Sequence, residues 1–175
     1  MQCWGDGGGV AQTHLKKLFA GIHKVVFGEG NKTITEMQSM AGERVPLLKA
    51  VPVDENVETW LGLLAGAMVH TLSTMLGQCI ALKDYQKYPS QLLSIADMHH
   101  FTQKAESAMG QGKLAAFRGE LMKQLEEYTS YNAEGHRVMQ LKLQSLVLDL
   151  IHNIDIVDQL VRAELTEEEF RVSKV

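Results

Sequence analysis

The sequence predicts a mainly α fold: an elongated helical bundle with a small N-terminal β-meander. Three observations carry this. Between Arg137 and Glu164 there is no Gly or Pro, and Met139, Leu143, Leu146, Leu150, Ile154, Val157 and Val161 recur at steps of three and four. From Thr59 to Leu82 there is no charged residue, yet the apolar positions Val57, Leu61, Leu64, Met68, Leu72, Met75 and Cys79 fall on one narrow stripe at about 100° per residue. Upstream, short pieces rich in β-branched residues are separated by Gly and Asn.

Residues 1–12 are Gly-rich and carry little pattern, so they read as a flexible tail. Leu15, Leu18, Phe19 and Ile22 predict a short helix from Thr13 to about Ile22. Lys24 to Phe27, Thr33 to Met37 and Arg44 to Leu47 predict a meander over about 24–47, with Pro46 placing the third strand at an edge. A first long helix follows over about 54–83, with Asp54 as N-cap and Glu55 and Glu58 favourable near its positive end. Gly62, Gly66 and Gly77 each cost it about 1 kcal/mol relative to Ala, so it needs a partner surface. Pro89 breaks the chain, and Ser90 is the expected cap of a helix over about 90–110, with Thr102 capping its last turns and Gly110 and Gly112 closing it. Leu114, Phe117, Leu121, Leu125 and Tyr128 mark a helix over about 113–130; Asn132 to Gly135 form a loop. The last helix, about 136–164, buries the 139–161 seam and leaves Asp149 about 100° away, toward Lys142 and His152. One domain over 13–165 results, with a divergent tail at 166–175.

With 175 residues the chain is long enough to bury a core. Its net charge of −4, without clustered Lys and Arg, argues against nucleic acid as a partner. Cys3 and Cys79 lie far apart, which fits a reducing compartment better than a disulfide framework. The first residues have neither the basic nor the apolar region of a secretory signal. The uncharged run 59–82 has membrane-spanning length, and Gly62 to Gly66 matches a small-xxx-small pattern. Thr59, His70, Thr71, Ser73, Thr74 and Gln78 on its other side make it two-faced, and a soluble amphipathic helix with no membrane partner is the expectation.

Each hint of chemistry has a plainer reading. Gly5 to Gly9 lacks the Gly-Lys-Ser/Thr ending and the preceding strand of a phosphate loop, so it reads as tail. Neighbouring His99 and His100 point about 100° apart on a helix and do not easily serve one metal. His152 and Asp155 share a face but are too few ligands for zinc. Cys79 lies on the apolar stripe, which fits a buried inert thiol. No Gly-x-Ser-x-Gly elbow frames a serine. Trp60, and most of the nine Met, read as packing. No catalytic, cofactor-binding or metal residue is nominated, and no cofactor.

Glu43-Arg44-Val45-Pro46-Leu47, then Val57-Glu58-Thr59-Trp60-Leu61, resembles the dynein heavy-chain linker, which carries a Gly-Glu-x-Val-Pro turn followed by a Val-Glu-x-Trp-Leu helix start. The likeness continues at Tyr88-Pro89-Ser90-Gln91, at Phe101-Thr102 with Glu106, and most closely from Leu141 to Val157; His14 to Phe19 and the meander match as well. It covers roughly residues 13–165, the C-terminal part of the linker. Ile151-His152-Asn153-Ile154-Asp155 and the Tyr88 start look most like the cytoplasmic dynein heavy chain of intraflagellar transport. The family's Trp and Leu-Arg-aromatic block after Phe170 is missing, which suggests a truncated product, a partial gene model or an alternative end.

The resemblance implies a mechanical arm that transmits ATP-driven change in microtubule-based motility, in retrograde intraflagellar transport. It implies no chemistry in this chain, since ATP hydrolysis belongs to the family's AAA+ ring. The implied partners are the rest of the linker, the AAA+ ring and other dynein subunits; the implied locations are cytoplasm, cytoskeleton and cilium. The alternative is a stand-alone helical protein-interaction module. The two differ in one expectation: the arm leaves an apolar flank where the rest of the linker docks, whereas the module closes its core behind polar flanks.

Overall fold

The structure, a computed structural model, describes residues 15–54, 56–84 and 86–172, with side chains through Glu164. The expected tail at 1–12 lies outside the described residues. The chain divides into two compact units, Met1–Gly77 and Gln78–Val175.

In the first unit a helical turn at residues 15–18 ends in a Phe19 N–H···O=C Leu15 bond of 2.9 Å. Three antiparallel strands follow in the order β1-β2-β3: β1 Lys24–Phe27, β2 Thr33–Gln38 and β3 Arg44–Pro52. At the β1–β2 connection Gly30 takes a φ of 68°, a left-handed conformation open to glycine at little strain. β3 runs five residues beyond its expected end at Leu47. It pairs with β2 at both ends, Glu36 opposite Pro46 and Ile34 opposite Val51, so the residues between arch away from the ladder. Pro46 is tolerated because β3 has a neighbour on only one side among the described strands.

Helix α1, Val57–Ala81, covers this sheet. It begins later than the expected Asp54. The Asp54 carboxylate accepts the Asn56 N–H at 2.9 Å, and Asn56 Oδ1 accepts the Thr59 N–H at 3.1 Å, so Asn56 is the cap. Trp60, Leu64 and Met68 pack on Leu15, Val25, Ile34, Met37, Val45, Leu47 and Val51. The predicted stripe is correct at Leu64, Met68 and Cys79, which are buried, while Leu61, Leu72 and Met75 are partly covered. Two positions go the other way. Val57 is exposed, at the first position of the helix. Thr71, assigned to the polar side, is fully buried because its Oγ1 accepts the N–H of Leu48, at 3.1 Å, in the arched part of β3. By length and composition α1 is able to cross a membrane: its apolar window has a mean hydropathy of 1.3, with 22% of that window buried.

The second unit holds the end of α1 and three further helices, α2 Ser90–Gln111, α3 Leu114–Ser130 and α4 Arg137–Val172, with α4 packed on both α2 and α3. Pro89, not Ser90, occupies the cap position of α2; its carbonyl accepts the Leu92 and Leu93 N–H groups. Thr102 does not restart the helix. Its hydroxyl donates to Met98 O at 3.0 Å, one turn back inside a continuous helix. Gly112, at φ 63°, closes α2 in the left-handed conformation. The 139–161 seam faces inward, with Leu143, Leu146, Leu150, Ile154 and Val157 all buried. α4 continues eight residues past its expected end at Glu164, through Leu165-Thr166-Glu167-Glu168-Glu169, where no Gly or Pro interrupts it.

Candidate interaction surface

The residues that hinted at chemistry do not converge. His99 and His100 are adjacent on α2 with ring centroids 5.7 Å apart, and His99 is exposed. His152 is exposed; Asp155 accepts a bond from Gln159 at 2.9 Å. Among the described residues no three His, Cys, Asp or Glu side chains are grouped to hold a metal. Gly5 to Gly9 lie outside the described residues. Cys79 is fully buried, its thiol pointing at Leu92 O at 3.7 Å. Burial pushes its pKa up, the Asp97 carboxylate adds to that, and Lys83 offsets part of it. The thiolate, the reactive form, is disfavoured.

What the second unit builds is a set of polar ties between helices. Asp97 on α2 is paired with Lys83 and accepts the Tyr128 hydroxyl at 3.1 Å, and Gln124 Nε2 donates to that hydroxyl at 2.7 Å. Lys83, Asp97 and Gln124 line a cavity of about 550 Å³ together with Phe117, Leu121, Leu146 and Leu150. Arg118 on α3 grips Asp158 on α4 in two-pronged fashion, through Nε and, at 3.1 Å, Nη2. That hydrogen bonding holds the Asp158 carboxyl below the usual carboxylate range and raises the guanidinium. Lys142 on α4 is buried, its Nζ donating to Tyr88 O at 2.7 Å. The expected neighbourhood of Asp149 is thereby corrected: Lys142 turns inward, and Asp149 instead accepts the Ser94 hydroxyl of α2 at 2.7 Å.

Sequence reasoning missed Lys142, Thr71 and Arg118. Periodicity offered a signal for Lys142, which sits beside Leu143 on the flank of the seam and has an aliphatic stem long enough to pass along it. Nothing local marks Thr71 or Arg118, whose partners are 23 and 40 residues away.

The flanks are not polar throughout. On α4, Leu141 is 39%, Leu148 67% and Ile151 49% exposed. Beside them runs a shallow groove of about 730 Å³ between α4 and the α3–α4 connection, lined by Tyr131, Asn132, Gln140, Gln144, Val147 and Leu148 among others.

Comparison with known proteins decides the family. A sequence profile described as "Dynein heavy chain, N-terminal region 2" matches residues 9–79. Proteins called cytoplasmic dynein 2 heavy chain 1 align along nearly the whole chain: 46% identical for Tripneustes gratilla over 90% of this chain, 40% for Homo sapiens over 91%, and 43% for Caenorhabditis elegans over 87%. The chain belongs to the dynein heavy-chain family. It spans about 4% of the length of each of these relatives. The matched profile is one of the heavy chain's N-terminal region, and the alignments cover 87–91% of this chain, so each compact unit lies largely inside heavy-chain sequence.

Proposed function

We propose that this chain is the C-terminal part of the linker of a heavy chain of the cytoplasmic dynein 2 class, a domain over 13–165 that carries force and performs no chemistry of its own. The observation that carries this reading is the high identity, sustained along nearly the whole chain, to heavy chains that all bear one class name. Physical features support it. A 36-residue helix buries a regular seam against two neighbours and is tied to them by Arg118–Asp158, Ser94–Asp149 and Lys142 to the Tyr88 carbonyl. Such a packed strut resists bending, because bending separates side chains held at close-packed density.

In this role the chain transmits conformational change driven by ATP in an AAA+ ring elsewhere in the heavy chain, in retrograde intraflagellar transport. Its partners are the rest of the linker, the ring and other dynein subunits, in the cytoplasm and cilium on the cytoskeleton; it takes neither nucleic acid nor membrane. Sequencing the transcript beyond codon 175 tests this. The expected result is a reading frame that continues into a Gly-x-x-x-x-Gly-Lys-Ser/Thr loop. A frame that closes at Val175 in every transcript favours the stand-alone interaction module instead.

A further inference from the structure

We draw no further inference here: the strongest candidate, the exposed apolar row Leu141, Leu148 and Ile151 on α4 with the shallow groove beside it, is an unpartnered face, and nothing in the structure shows what covers it.

Discussion

The ammonium of Lys142, in the first turns of α4, reaches the backbone carbonyl of Tyr88 at 2.7 Å, across 54 residues of sequence. Tyr88 itself is buried, just before the Pro89 that starts α2. A cation rather than a leucine therefore fastens the entry of one helix to the flank of another, and its methylene stem completes the packing beside Leu143. Replacing Lys142 by Met keeps the stem and removes the donor. With the Tyr88 carbonyl left short of a partner, stability is expected to fall by about 1–3 kcal/mol in urea denaturation. An unchanged midpoint would show that the carbonyl finds water instead.

Leu150→Ala is expected to cost about 2–5 kcal/mol, because Leu150 is 5% exposed in the middle of the inner seam and its truncation leaves a cavity. Asp149→Ala, one residue away, removes only the acceptor of an exposed Ser94 hydroxyl and should cost no more than about 1 kcal/mol. Equal denaturation midpoints at unchanged m-value would mean that the other face of α4 is the buried one.

Thr71→Val retains the shape and deletes the acceptor of the Leu48 N–H. The arched part of β3 then has a backbone donor without its partner, and a loss of about 1–3 kcal/mol is expected. Amide exchange at Leu48 should quicken by more than at Met37, which lies in the regular ladder. Similar acceleration at both amides would point to a general loosening rather than to this bond.

Asp158 gives stability a pH dependence of definite sign. Its folded pKa lies below the unfolded value, so its contribution is fully present above the unfolded carboxylate range and disappears as pH falls through the folded pKa. Carbon-detected NMR titration should find the Asp158 carboxyl below the ordinary value near 3.8 and returning toward it in Arg118→Gln. The acid limb of the stability profile should move up in the same variant. An unshifted titration in the native chain would contradict the Arg118–Asp158 grip.

ATP should not bind. Gly5 to Gly9 lacks the lysine and hydroxyl that hold a β/γ-phosphate and its magnesium. A micromolar dissociation constant for ATP by calorimetry would require a nucleotide site of another kind.

The sequence alone determined the helices, the meander and the inward seam of α4. Those features are local: a repeat of 3.6 residues, a Gly or Pro at each break, and apolar residues in step. The family was legible too, because Val57 to Leu61 and Leu141 to Val157 keep its order and spacing. The tertiary structure decided what periodicity assigns only by class of residue. Thr71 is polar by type, yet it is buried because β3 arches and brings an unpaired N–H to it. Lys142 is charged by type, yet it lies inside because a carbonyl 54 residues away awaits a donor. Asn56 rather than Asp54 caps α1, because a helix start depends on which nearby group takes up the free backbone donors. The exposed row Leu141, Leu148 and Ile151 was present in the residues throughout. That it remains open, while the inner seam is closed by α2 and α3, is a fact of packing, since one apolar row looks like another until its neighbours are in place.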